Sequence, residues 1–180
     1  MALTLVLGPA NSAKAGEVLG AYAAAARRGA LLVVPTSLDA EHYGRELARE
    51  GVVLGSVLTF SGLIVQIARR ARLYGIPLTA LQRERVVRRV AGRAQLGALA
   101  RSAQAAGFAS AVGELIAELQ RSLVTPQRFA AALGEWAALD PRRASHGRYG
   151  SSLYLSYMGE LDRSGRMDTE LYAWRALDAL

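Results

Sequence analysis

The sequence has no cysteine, which excludes a disulfide scaffold, a CxxC zinc site and a cysteine nucleophile. It also lacks an apolar run near the roughly 18 residues of a membrane span, and no positive residue precedes its short apolar start, so neither a membrane helix nor a signal peptide is expected. Its two histidines have no metal-ligand spacing, and we predict no metal site. The 180 residues are 52% apolar, which excludes a disordered chain and favours a folded, cytoplasmic protein.

The first 60 residues alternate strand and helix signals. Three short apolar runs, each followed by turn residues, predict buried strands. They are Leu3–Leu7, Leu31–Val34 and Val57–Phe60. An alanine-rich segment predicts a helix over 15–28, and Ser37 is placed to cap a second helix that ends near Arg49. Strands that are apolar throughout and separated by helices predict a parallel sheet covered on both faces.

After residue 60 the strand signals end and the pattern becomes helical. Apolar residues at three- and four-residue spacing, with capping residues such as Thr125 and Asp168, predict six helices. They span residues 61–73, 79–94, 108–123, 126–139, 151–162 and 168–180. Asp140–Gly150, rich in turn-forming and basic residues, predicts a loop. An α/β beginning followed only by helices looks like a domain cut off before its remaining strands, so we expect an N-terminal fragment.

Gly8–Ala15 follow the first predicted strand and open a helix, as the phosphate-binding pattern GxxxxGK[ST] does. In that pattern the glycines let backbone N–H groups wrap the phosphates, the lysine neutralises their charge and the hydroxyl ligates Mg²⁺. Here Ala13 replaces the second glycine and Ala15 replaces the hydroxyl residue. We predict a degenerate phosphate-binding loop and no hydrolysis. Its residues are Gly8, Asn11, Ser12 and Lys14.

ATP and Mg²⁺ are the cofactors that such a loop would take, although Ala15 offers no ligand for the metal. Lys14 is the only lysine of the chain, against 21 arginines. The alternative is that Lys14 is an ordinary solvated surface lysine and that the match to the pattern is chance.

Hydroxyl side chains follow the second and third predicted strands, with Thr36 and Ser37 after one and Thr59, Phe60 and Ser61 at the end of the other. Parallel sheets bind ligands at the carboxyl ends of their strands, so these residues predict a binding edge. The alternative is that the serines cap helices and Phe60 packs in the core.

Positive charge concentrates in Arg69–Arg101, where nine arginines stand against one acid, Glu84. A stripe at helical spacing is formed by Arg85, Arg88, Arg89 and Arg93. Because guanidinium groups fit phosphate oxygens, the stripe predicts a polyanion as partner. A solvated helix face, or a surface that pairs with acids of another domain, is the alternative.

The order of these features resembles the N-terminal motor domain of the UvrD/Rep helicase superfamily, and more closely the AddB/RexB-type subunit of bacterial helicase–nucleases. Gly8–Ala15 is similar to motif I, Val33–Leu47 resembles motif Ia, and Val57–Ser61 resembles the TFH segment with serine in place of histidine. Leu81–Arg83 and Gly107–Arg128 resemble the helical insertion of this superfamily. The helix pair that precedes motif II is matched by Tyr157, Leu161, Gly165 and Asp168.

This resemblance implies a partial RecA-like layer over residues 1–75, a helical insertion over 76–150, and helices over 151–180 that return to the first domain. It implies a DNA-binding role in repair and recombination, beside an active helicase–nuclease partner subunit and with a catalytically silent motor. The resemblance implies contacts with DNA, a single strand or a duplex end, near Thr36, Thr59 and Ser61. The strand ends and the arginine stripe add Ser37, Phe60, Arg85, Arg88 and Arg89 to the predicted DNA-binding residues. Motif II and a nuclease domain of PD-(D/E)XK type would lie beyond residue 180.

Two functions of other classes remain open at this point. One is a self-contained phosphate-loop NTPase or small kinase that uses Lys14. The other is a non-enzymatic, arginine-rich interaction module whose sheet is only structural.

Overall fold

The computed structural model describes residues 3–180, apart from the side chains of Ala98, Pro141 and Ser145. The chain divides into two compact units, one that ends at Ile67 and a second, Ala68–Leu180. Each unit is built by its own local sequence signals.

The first unit is a small α/β layer. Its elements are α1 (Lys14–Ala25) with a 3₁₀ turn at Ala26–Arg28, β1 (Leu31–Val34), α2 (Ser37–Arg49), β2 (Ser56–Thr59) and the first part of α3 (Phe60–Arg70). The two strands are parallel, and Val34 lies opposite Thr59 in their register. Tyr22 of α1, Leu32 and Val34 of β1, and Leu47 of α2 form the buried core. The predicted parallel α/β arrangement is therefore confirmed, with a shorter sheet.

The prediction of a third strand over Leu3–Leu7 is wrong. The sheet of the described residues contains only β1 and β2, and Leu3, Leu5 and Leu7 are exposed. An apolar run becomes a buried strand only where a neighbouring strand accepts its backbone hydrogen bonds and helices cover its faces. Within residues 3–67 nothing supplies these partners to the segment. Full coverage of both sheet faces is wrong as well, because in β1 Leu32 and Val34 are buried, whereas Leu31 is exposed and Val33 is only partly buried.

The second unit is helical. Its elements are the end of α3, then α4 (Ala80–Arg93), α5 (Phe108–Arg121), α6 (Pro126–Ala138), α7 (Ala144–Ser164) and α8 (Thr169–Asp178), with 3₁₀ turns at Gly97–Leu99, Ser102–Gln104 and Pro141–Arg143. The expected caps are confirmed at two helices. The Thr125 hydroxyl accepts a hydrogen bond from the Arg128 N–H (3.1 Å), and the Asp168 carboxylate accepts one from the Leu171 N–H (2.8 Å).

The prediction of a loop over Asp140–Gly150 is wrong, because α7 begins at Ala144. The turn-forming residues of this segment are outweighed by its packing against α6. Gly147 is buried so close to that helix that an added Cβ would lie 3.2 Å from the Leu133 carbonyl oxygen. The Arg143 guanidinium also lies 5.0 Å from the centroid of the Trp136 ring, a cation–π distance. Tertiary contacts therefore extend the helix through a sequence that is polar and rich in glycine.

A buried polar pair joins α7 to the start of α8. Tyr157 donates its phenolic hydrogen to Asp168 Oδ2 over 2.6 Å, and Asp168 is fully buried. Burial, and next the charge of Asp168, raises the pKa of Tyr157 well above its usual value. Tyr154, one turn earlier, donates to the Val124 carbonyl (2.9 Å), and burial raises its pKa to about 12. Both phenols therefore stay protonated and act as hydrogen-bond donors at neutral pH.

Candidate nucleic-acid interface

The loop that precedes α1 wraps around the lysine side chain. Lys14 is the first residue of α1, and its Nζ donates to the Gly8 carbonyl (2.7 Å) and to the Pro9 carbonyl. An added Cβ at Gly8 would lie 2.5 Å from Ser12 Oγ, so a larger residue there would require the Ser12 side chain to move. The ammonium group is thus held at the amino end of α1, where the helix dipole favours an anion. A phosphate at this loop would have to share the ammonium with the two carbonyl oxygens.

Two residues of the loop have a left-handed backbone, Asn11 (φ 59°) and Ala13 (φ 57°). Asparagine tolerates this conformation, whereas the Cβ of alanine is strained in it. Ala13 stands at the position of the second glycine in the phosphate-loop pattern, and its backbone has the conformation that glycine favours.

We expect Ala13→Gly to raise the free energy of unfolding by about 1 kcal/mol, because glycine removes the left-handed strain of about 1–2 kcal/mol at the cost of greater freedom in the unfolded chain. Chemical denaturation of the 180-residue chain measures this change. Ala21→Gly is the matched control, since Ala21 lies exposed inside α1, where glycine should lower stability by about 0.5–1 kcal/mol. A loss of stability in both variants would contradict the prediction that the left-handed backbone of Ala13 is strained.

The carboxyl ends of β1 and β2 bring the two hydroxyl segments to one edge of the sheet, because Val34 and Thr59 are partners in the parallel register. The two threonines cap helices there. Thr36, not Ser37 as predicted, is the N-cap of α2, with a capping box to Asp39. Thr59 Oγ1 accepts from the Gly62 N–H at the start of α3 (3.1 Å).

Ser37, Phe60 and Ser61 remain exposed at this edge. Phe60 is 65% exposed and is the first residue of α3, so both its predicted place in a strand and its alternative role as a core residue are wrong. Phe60 therefore presents an aromatic ring to solvent near the carboxyl ends of the two strands, and a base could stack on such a ring.

The arginine stripe lies on α4, in the second unit, and acids partly neutralise it. Arg88 pairs with Glu84 (2.7 Å), and Arg89 pairs with Glu160 of α7 (3.2 Å). Arg85 is exposed, and within the described part of the chain no carboxylate forms a salt bridge with it. The stripe is therefore both a link between α4 and α7 and a positive surface.

Sequence reasoning missed two features of the second unit. Arg83 is a structural residue, since it pairs with Glu170 (3.3 Å) and donates to the Gly113 carbonyl (2.5 Å). Arg148 and Arg163 of α7 line a groove together with Arg93. The four-residue spacing that places polar residues on one face of α7 is visible in the sequence, but only if residues 144–150 are assigned to a helix.

The residues that the structure describes contain neither a cluster of metal-binding side chains nor a membrane-spanning helix. No group of three or more histidine, aspartate or glutamate side chains in residues 3–180 is arranged to hold a metal ion. In the same range, no helix combines the length and the apolar character needed to cross a membrane.

Comparison of the chain with protein-family models, with curated proteins and with solved structures finds no match.

Proposed function

We propose that this chain is the N-terminal portion of a UvrD-like or AddB-like DNA helicase–nuclease subunit that acts in DNA repair and recombination. In this proposal the chain binds DNA beside an active partner subunit, and its own RecA-like motor layer does not hydrolyse ATP. The edge formed by Ser37, Phe60 and Ser61 would contact a single strand or a duplex end, and the exposed Arg85 of α4 would contact phosphate.

The observation that carries the proposal is the edge at the carboxyl ends of β1 and β2. Parallel α/β sheets bind ligands at this end of their strands. Here two segments that are more than 20 residues apart in sequence are brought side by side by the strand register, and they present a ring that is 65% exposed. Stacking of bases on exposed aromatic rings is one component of sequence-independent single-strand binding, and positive charge along the phosphate backbone is the other.

Two residues of the loop before α1 support the proposal that the chain does not hydrolyse ATP. Ala15 has no side-chain oxygen with which to ligate Mg²⁺, and Ala13 has a left-handed backbone at a position where the phosphate-loop pattern has glycine. Lys14 keeps its place at the amino end of α1. The loop therefore retains the electrostatics of an anion site without the metal ligand that phosphoryl transfer needs.

We expect Phe60→Ala to weaken binding of a fluorescent oligodeoxythymidylate about tenfold, because stacking of one base on an aromatic side chain contributes roughly 1–3 kcal/mol. Fluorescence anisotropy at fixed salt measures the dissociation constant. Tyr74→Ala is the matched control, since Tyr74 is an aromatic residue that is 80% exposed and lies outside the sheet edge.

The control variant should bind within about twofold of the unmodified chain. Equal affinity of Phe60→Ala and the unmodified chain would remove the edge from the proposal. Absence of any oligonucleotide binding at low salt would refute the DNA-binding role as a whole, since phosphate contacts are strongest under that condition.

A further inference from the structure

A groove of about 660 Å³ lies in the second unit between the carboxyl end of α4 and the outer face of α7. We call it the α7 groove. Its charged and hydroxyl-bearing lining includes Arg93, Arg148, Ser152, Ser156, Glu160 and Arg163. Neither the sheet edge nor the loop before α1 contributes to it.

One face of α7 is polar along most of the helix. Arg148, Ser152, Ser156 and Glu160 recur at four-residue steps, and such residues lie above one another on a helix. The neighbouring face, about 100° around the helix, holds the buried Leu153, Tyr157 and Leu161. From Arg148 to Arg163 the helix rises by about 22 Å at about 1.5 Å per residue, so the groove is elongated.

Positive charge exceeds negative charge in the groove. The single carboxylate of Glu160 faces three guanidinium groups, those of Arg89 (3.2 Å), Arg93 (3.7 Å) and Arg163 (2.8 Å). The hydrogen bond from Arg89 is the main cause that lowers the pKa of Glu160, so this carboxyl group is ionised at neutral pH. Its role is to hold the guanidinium groups in place while it cancels only one of their charges.

Arg148 adds a further positive charge at the other end of the groove. It is exposed, and in residues 3–180 it forms no salt bridge with a carboxylate. Along this face of α7, the exposed hydroxyl groups of Ser152 and Ser156 lie between Arg148 and the cluster around Glu160. Guanidinium groups at both ends with hydroxyl donors between them match a series of phosphate oxygens better than a single compact anion.

We propose that the α7 groove binds the phosphate backbone of a nucleic acid strand. This inference rests on the proposed DNA-binding function and gives it a second contact surface, on the helical unit. Phosphate is the chemistry that the groove recognises, and the length of the positive face assigns it to a polymer, not to free phosphate. Recognition is independent of base sequence, because guanidinium and hydroxyl groups that contact phosphate carry no base information.

The test compares variants of the exposed groove residues in the 180-residue chain. We expect Arg148→Gln to weaken oligodeoxythymidylate binding about fivefold at 0.1 M salt and to reduce the log–log salt slope by about 0.7, the value for one phosphate on a single strand. Ser152→Glu should weaken binding at least as much, whereas Ser152→Gln, of nearly the same size, should bind like the unmodified chain. Arg128→Gln, at an exposed arginine of α6 outside the groove, controls for net charge.

Each outcome separates this inference from the proposed function. If Arg148→Gln and Ser152→Glu bind more weakly while Phe60→Ala keeps its affinity, the α7 groove binds the strand and the sheet edge does not. Weaker binding by Phe60→Ala alone, with wild-type affinity and salt slope in the groove variants, overturns the groove and keeps the proposed function.

Inorganic pyrophosphate, titrated by calorimetry, distinguishes the source of the phosphate. If Ser152→Glu abolishes pyrophosphate binding but leaves oligonucleotide binding intact, the groove takes small phosphates and the strand assignment is overturned. Circular dichroism of each variant must match the unmodified chain, which is expected because both substituted side chains are exposed.

Discussion

Replacement of Asp168 by alanine should lower the free energy of unfolding by about 3 kcal/mol, because the change removes a charged hydrogen bond and an N-cap at once. Asp168 is fully buried, and both of its oxygens are used: Oδ2 accepts from the Tyr157 hydroxyl (2.6 Å) and Oδ1 from the Leu171 N–H (2.8 Å). Alanine leaves both donors without a partner. The transition of the second unit in urea or guanidinium measures the change.

Asp162→Ala is the matched control for this variant. Asp162 lies on the exposed face of α7 and pairs with Arg175 over 3.0 Å, so its loss should cost at most about 1 kcal/mol. A similar loss of stability in both variants would show that the buried Tyr157–Asp168 pair stabilises the fold no more than the exposed Asp162–Arg175 salt bridge does.

The alkaline side of the stability curve tests the same pair. Because the pKa of Tyr157 is raised in the folded state, its contribution is complete below pH 10, where the unfolded tyrosine ionises, and is lost as the pH rises above that value. Tyr157→Phe should make stability less dependent on pH in this range.

Leu161→Ala is the second substitution with a large expected effect, a loss of about 3 kcal/mol within the usual 2–5 kcal/mol range for a buried leucine. Leu161 has no exposed surface, so truncation removes its burial and leaves a cavity inside the second unit. Leu155→Ala controls for helix propensity and chemistry, because Leu155 lies on the same helix and is 57% exposed.

The control should lose less than about 1 kcal/mol of stability, since most of its side chain already faces solvent. Denaturant titration of the two variants in parallel gives the difference. Equal losses in the two variants would mean that Leu161 lies in a loosely packed site that collapses around the smaller side chain.

Local signals predicted the helical unit well, because capping is a local interaction. Thr125 and Asp168 are followed three residues later by the N–H groups that they accept from, and this relation is readable from the sequence alone. The same logic misplaced one cap by a single residue, since both Thr36 and Ser37 could serve and the carboxylate of Asp39 selects the threonine.

The failures have a common cause in contacts between distant residues. Whether Leu3–Leu7 forms a strand depends on a neighbouring strand, which a periodic pattern cannot reveal. Whether residues 144–150 form a helix depends on packing against α6, which overrides the turn-forming composition. The arginine stripe was visible as charge, but its pairing with Glu160 and the groove beyond it depend on how α4 and α7 pack.

The loop before α1 carries a functional group that no other side chain of the protein has. Lys14 Nζ is the only side-chain amine among the 180 residues, because every other basic side chain except the two histidines is a guanidinium group. Reductive methylation modifies amines and spares guanidinium groups, so side-chain modification by this reaction is confined to one atom. That atom is already hydrogen-bonded to the carbonyls of Gly8 and Pro9, and its reactivity therefore follows whether the loop is closed around it or has released it.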